Sequence, residues 1–290
     1  MEYHSDRFDD ASLMVFKGEK LLALLPLNMV GDEVYSHQGL SYGGMLLSRK
    51  IKFKEVLGAM RAVLNFLASE GISKLHLKVI PKIYHSYPAD EIDYLLFLLK
   101  ANRTRVDLSS AIDLSHPIKI QSNRLEGVKE AKKLGLSIVE GNDFTSFWNK
   151  ILIPNLALQH QAKPVHSLAE IEQLHSKFPN EIQQYNVYDG ENIVAGATLF
   201  IANHLVHVQY ISANADKQRL GSLDFLFNEL IVQRFKDKRY FDFGISNENK
   251  GLHLNEGLLY WKESFGARAI SHEFYTIDTA NYETLDSVFI

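Results

Sequence analysis

Apolar and polar positions alternate along this chain in an order that occurs twice. Leu13–Phe16 and Leu21–Met29 alternate on either side of Gly18, and Glu33–Leu40 follows as a third run of the same kind. A period of two predicts strands, because successive strand side chains point to opposite faces. The period then changes. Over Phe53–Leu67 the apolar residues recur at helical spacing, which predicts an amphipathic helix, and Leu75–Ile80 predicts a strand after it.

The second passage has the same order. Ile182–Tyr188 and Ile193–Ile201 flank Asp189-Gly190, a hairpin signal because glycine accepts positive φ. His204–Ser212 alternates as a third strand. Leu223, Leu226, Phe227, Leu230, Ile231 and Phe235 carry helical spacing, and Tyr240–Phe243 is a short strand. The hairpins even share a string: VFKGEKLLA at Val15–Ala23 and VYDGENIVA at Val187–Ala195. The offset between copies is 172 at the hairpin (Val15 to Val187), 167 at the helix (Phe53 to Leu220) and 165 at the next strand (Leu75 to Tyr240). A shared string followed by the same elements at nearly constant offset predicts two copies of one α/β unit, residues 1–122 and 123–290. Between the copies lie a helix over Arg124–Leu134 with Asn123 as its cap and a strand over Leu136–Val139. Helices over Asp143–Leu158 and Leu168–Phe178 follow, the latter opened by a Ser167/Glu170 capping box. Only twelve residues precede Leu13, so the first copy is expected to lack an opening strand and helices.

Composition narrows the function classes. The 290 residues are 46% hydrophobic and 23% charged, enough apolar material for real cores. No apolar run reaches membrane-span length, and the start MEYHSDRFDD does not read as a signal peptide. The absence of cysteine removes disulfides, thiolate metal sites and a thiol nucleophile, and a reducing cytoplasm is its natural reading. A net charge of −4 argues against a DNA-binding polycation. The charge is uneven: residues 1–150 hold 20 Lys and Arg against 18 acids, residues 151–290 only 11 against 17. Lys119–Lys133 is locally basic, either a solvated helix face or a surface that meets a phosphate-bearing substrate.

The segment YFDFGISNENKGLHLNEGLLYWKESFGAR, Tyr240–Arg268, together with the duplicated order of elements, resembles the GNAT acyltransferase superfamily. The two-unit form is similar to the Fem-type peptidoglycan-bridge transferases and to their acetyltransferase relatives of envelope and polysaccharide biosynthesis. The resemblance implies a tandem α/β (α+β) fold, with mixed, mostly antiparallel sheets flanked by helices. It also implies acyl transfer to an amine, with acetyl-CoA or another acyl-CoA as donor and no metal.

Such chemistry requires the donor to be held, the amine deprotonated, the oxyanion stabilised and the leaving thiolate reprotonated. By the resemblance, the loop into the second long helix holds the donor. Gln218, Arg219, Gly221 and Ser222 are its candidate residues, and Leu223 departs from the small residue expected there. Asn255 matches the start of the superfamily's late motif, and Lys262 stands where other members carry an acidic tyrosine. His207, Asp242 and Glu256 are the candidate acid–base residues beside Lys262. His207, Gln209 and Ile211 are expected on one strand face, with Tyr210 on the other. His37, Gln38, Tyr84, His85, Gln209 and Tyr210 are the candidate acceptor-binding residues, in a cleft of the kind two units offer. His204, His207, His160 and His166 do not fall at metal-ligand spacing.

The expectation is therefore an N-acyltransferase moving an acyl group from acyl-CoA to an amino group of a cell-envelope or polysaccharide precursor, a sugar nucleotide among the candidates. The second copy would hold the donor and the first the acceptor. An aminoacyl-tRNA-dependent peptide-bridge transferase is the alternative, disfavoured by the acidic second half. The third reading is a binding module without catalysis.

Overall fold

The computed structural model describes residues 5–160 and 162–290; Met1–His4, Gln161 and the side chains of Gln159 and His160 lie outside the described residues. The chain divides into two compact units, one of residues 1–107, 249–252 and 271–290, the other of residues 108–248 and 253–270.

In the first unit, β1 (Asp9–Asp10), β2 (Leu13–Lys17), β3 (Lys20–Leu25), β4 (Asn28–Val30), β5 (Glu33–Tyr35) and β6 (Leu46–Leu47) precede α1 (Phe53–Ser69). Next come β7 (Lys74–Lys78), α2 (Glu91–Leu98) and the first half of β8 (Asn102–Asp113). The single strand expected over Leu21–Met29 is two strands. Pro26, which has no N–H to give a ladder, separates β3 from β4. β3 pairs with β2 and β6, while β4 pairs with β1 and β5. The third strand, expected to reach Leu40, stops at Tyr35, and His37 turns the chain at φ 54. α1 buries Val56, Met60, Val63, Leu64 and Leu67, the helical stripe seen in the sequence. Each such side chain contributes roughly 1.5–3 kcal/mol on leaving water.

The second unit runs α3 (Ser122–Lys133), β9 (Ser137–Gly141), α4 (Phe144–Phe147), α5 (Ile153–His160) and α6 (Leu168–Lys177). A π-helical turn, Trp148–Leu152, joins α4 to α5. Then come β10 (Ile182–Asp189), β11 (Asn192–Ile201), β12 (Leu205–Ala213), α7 (Lys217–Leu220), α8 (Ser222–Glu229) and β13 (Tyr240–Ile245). β14 (Asn247–Glu248), β15 (His253–Leu254) and α9 (Glu256–Ser264) follow, and β16 (Arg268–Asp278) closes the run. The capping box at Ser167 is present, whereas α3 starts two residues earlier than expected, with Gln121 as its cap; Asn123 instead donates to Tyr260 Oη.

Both units contain a parallel strand pair, but only the second joins it to the repeated hairpin in one sheet. β10, β11 and β12 form an antiparallel meander, and β12 then runs parallel to β13. β5 runs parallel to β7 likewise. Residues 108–113 of β8 belong to the second unit and residues 271–278 of β16 to the first. β8 pairs antiparallel with β13 through Ser109–Asp113, and β16 pairs antiparallel with β7 through Phe274–Asp278. Among the described residues no helix is long and apolar enough to cross a membrane.

Candidate active site

The parallel pairing of β12 with β13 covers only Leu205–His207 against Tyr240–Asp242, yet β12 continues to Ala213. Past His207 the edge of β12 is released from β13. A bulge on the same strand pairs Thr198 with Tyr210 and Leu199 with Val208, so Gln209 is the extra residue and the regular alternation expected here is broken. Tyr210 turns to the side of Trp148, ring centroids 5.1 Å apart, and its hydroxyl lies 2.7 Å from His166 Nδ1.

Where the two strands part, four polar groups meet. Asp242 is fully buried. Its Oδ1 accepts from Ser109 Oγ at 2.7 Å and from the Gly244 N–H at 2.9 Å, and its Oδ2 lies 2.9 Å from His207 Nδ1. A carboxylate so surrounded by donors holds the His207 proton on Nδ1. Gly244 has φ 72, and a Cβ there would meet His207 Cε1 at 3.3 Å. Lys262, from α9, donates to the Gly244 and Ile245 carbonyls at 2.9 and 2.7 Å. Burial lowers its ammonium to about 8, with Asp242 pulling the other way. Lys262, His207 and Asp242 are thus one cluster. Glu256 is not part of it: it lies exposed in the first turn of α9.

The second unit also holds a cavity of about 480 Å³, lined by none of Lys262, His207 and Asp242. Ile211–Ala213 of β12, Lys217, Gln218, Leu223, Asp224, and Asn255 with Trp261 line it, together with Arg124 and Asn155. Gln218 and Asn255 therefore face one space. Asn255 Oδ1 also caps α9 by accepting from the Leu258 N–H at 3.0 Å. Arg219 turns away and pairs with Asp216 at 3.3 Å. Gly221 and Ser222 do not line the cavity. Gly221, at φ 60, presses its backbone on Gly127 of α3, and a Cβ would stand 2.1 Å from the Gly127 oxygen. Ser222 is fully buried.

Arg124, Asp224 and Trp261 were not singled out by sequence. Arg124 Nη1 lies 2.8 Å from Asp224 Oδ1, and Trp261 Nε1 donates to the same oxygen at 3.2 Å. Burial raises the Asp224 carboxyl above its ordinary range, against the pull of Arg124. Arg124 Nε is buried without a partner. The one available signal was the basic run Lys119–Lys133, which contains Arg124.

In the first unit a second cavity, about 710 Å³, is lined by Met45, Leu46, Leu47, Leu77, Val79 and Ile80 with Arg49, Tyr84, His85, Tyr87, Glu91 and Asp93 around them. Burial lowers the His85 imidazole. His37 and Gln38 lie elsewhere: His37 is buried, and the Gln38 N–H donates to Asn28 Oδ1 at 2.8 Å. The predicted acceptor residues are thus dispersed, with Tyr84 and His85 at this cavity and Gln209 and Tyr210 on β12. Among the described residues no cluster of three or more His, Asp or Glu could hold a metal ion.

No protein-family model and no curated protein matches the sequence. Solved structures do. FemX superposes with a TM-score of 0.64 over 96% of this chain and 90% of its own, at 10% identity. L-PGS from Bacillus licheniformis gives 0.62 over 94% and 88%, at 12% identity. The fold is tandem GNAT-like. A tandem GNAT protein from the clavulanic acid biosynthesis pathway adds a TM-score of 0.51 over 96% of this chain and 87% of that one, at 13% identity. At such identities the likeness is one of fold.

Proposed function

We propose that the protein is an N-acyltransferase whose second unit holds an acyl-CoA. The supporting observation is the 480 Å³ cavity at the released edge of β12, where Arg124, Lys217 and Gln218 meet the start of α8. α8 opens at Gly221 without a side-chain cap, its first turn reaches the cavity through Leu223, and its dipole has the sign that favours a pyrophosphate there. Beyond His207, β12 is no longer laddered to β13, and backbone N–H groups on that side suit a thioester oxyanion.

His207, with its Nδ1 proton held by Asp242, takes the amine proton at Nε2, directly or through a water. Asp242 positions the imidazole and stabilises the imidazolium. Lys262 fixes the Gly244–Ile245 carbonyls, and we assign its lowered ammonium to the reprotonation of the departing thiolate. The first-unit cavity, with the Glu91 and Asp93 carboxylates beside Tyr84 and His85, suits the amine acceptor. An envelope or polysaccharide amine fits that chemistry.

Calorimetric titration with acetyl-CoA, longer acyl-CoAs and free coenzyme A tests the reading. Saturable binding that raises the melting temperature and weakens in Lys217→Glu/Gln218→Glu is the expected result. Heats at the level of buffer dilution for every coenzyme A species would sink it. Aminoacyl-tRNA would then be the next donor to titrate.

A further inference from the structure

The first unit carries an apolar sheet face that its own core does not use. Met14 of β2, Leu24 of β3 and Leu46 of β6 are direct cross-strand partners, and they are 66%, 36% and 47% exposed. One step along the hairpin, the partners Phe16 and Leu21 are 52% and 38% exposed. Scattered apolar residues on a surface need no explanation, but a contiguous ladder across three strands does.

The ladder is bordered by positive charge. Leu13–Leu25 and Leu46–Glu55 together hold Lys17, Lys20, Arg49, Lys50, Lys52 and Lys54 against Glu19 and Glu55, in a chain whose net charge is −4. Lys17 and Lys20 reach Glu55 at 3.4 and 3.7 Å, which ties the hairpin tip to the first turn of α1 and brings Lys52 and Lys54 beside it. All six basic side chains are exposed. Among the described residues no carboxylate pairs with Lys50, Lys52 or Lys54.

We infer that this face docks the protein on an anionic lipid surface, with Met14, Phe16, Leu24 and Leu46 entering the interface and the Arg49–Lys54 run against the headgroups. Exposed apolar side chains within a basic rim are the combination that interfacial binding uses. A polyanion such as tRNA would use the charges alone and leave four solvated aliphatic and aromatic side chains without a role. Leu46 and Arg49 also line the 710 Å³ cavity, which therefore adjoins the docking face. The inference concerns the first unit and does not depend on the donor reading of the second.

The test is co-sedimentation of the whole protein with phosphatidylcholine vesicles, with and without phosphatidylglycerol, at low and high salt. Binding to the anionic vesicles only, weakening with salt, is expected. Lys50→Glu/Lys52→Glu should lower the affinity by at least about fivefold per charge. Met14→Ser/Phe16→Ser should lower it while leaving the salt dependence unchanged, and Lys132→Glu/Lys133→Glu on α3 should leave it unaltered. Melting temperatures of the variants confirm that each is folded. No sedimentation with anionic vesicles overturns the inference. So does equal loss in the α3 variant, or binding to tRNA in the same assay without binding to vesicles.

Discussion

The two units open their long helices in opposite ways. At α8 a glycine leaves the first N–H groups uncapped, and Arg124 and Lys217 stand in the adjoining cavity. At α1 the Lys52 N–H is taken by Glu55 Oε2 at 3.3 Å, and that bond holds the Glu55 carboxyl below its usual range. The second helix of the first unit starts among Asp90, Glu91 and Asp93; α9 starts on the amide of Asn255 with Glu256 after it, and Asp224 in the first turn of α8 is paired with Arg124. The two units share a parallel strand pair, but one cavity is lined by Arg124 and Lys217 with Asp224, and the other is largely aliphatic with Glu91 and Asp93 at its side. On the proposed function, these residues decide which charge each cavity admits.

The largest expected effect is at the glycine. Gly221→Ala places a Cβ at φ 60 and 2.1 Å from the Gly127 oxygen, a backbone atom that has no rotamer to escape by. Strain and overpacking together should cost ~4 kcal/mol in denaturant unfolding and abolish acyl-CoA binding. A variant of wild-type stability would show that α3 and α8 do not pack this closely.

Arg124→Ala comes next. It leaves Asp224 buried without its cation, for an expected loss of ~3 kcal/mol. It also removes a cation from the donor cavity, so acyl-CoA affinity should fall at least tenfold. Arg124→Lys should recover stability only in part, because an ammonium does not reproduce the guanidinium fork. An Ala variant that is destabilised but binds acyl-CoA as before would confine Arg124 to the α3–α8 contact.

How much of this was legible in the sequence follows from interaction range. The hairpins, the helical stripe of α1 and the capping box at Ser167 depend on neighbours in sequence, and they stand where the pattern put them. Pro26 splits a strand that alternation drew as continuous, because pattern reports faces and not ladder donors. The destinations of β8 and β16 depend on which ladder has an open edge after the whole chain has folded. The site divides in the same way. Gln218 and Asn255, both singled out by sequence, line one cavity. Arg124 and Asp224 lie a hundred positions apart, and no local signal joins them. The bulge at Gln209, which re-aims Tyr210 toward His166, is invisible to a strict period of two.

Each unit also buries one lysine held by backbone carbonyls, and these two titrate alike. Lys78 donates to the His37 carbonyl at 3.4 Å and to that of Leu40, and burial lowers it to about 8, as it does Lys262. The ordinary value is 10.5. Between these values the unfolded chain binds more protons than the folded one, so stability rises with pH across that window. Lys262→Met should remove about half of the rise and Lys78→Met the other half, each about 3 kcal/mol. Stability curves measured across the alkaline range check this. A wild-type curve that is flat there would mean that both lysines stay charged in the folded state.

Glu55→Gln should have the smallest effect on stability, and it tests the comparison most directly. The amide keeps an oxygen for the Lys52 N–H but removes the charge that favours the helix start, so melting should shift little. What changes is the field at α1: Lys17 and Lys20 lose their partner and the basic rim gains a positive unit. If acid at the helix start is what keeps anions from the first unit, phosphate should now protect backbone amides at the start of α1 from hydrogen exchange, while the start of α8 responds to phosphate in both proteins. Phosphate protection at α1 already present in the wild type would remove the distinction between the two units.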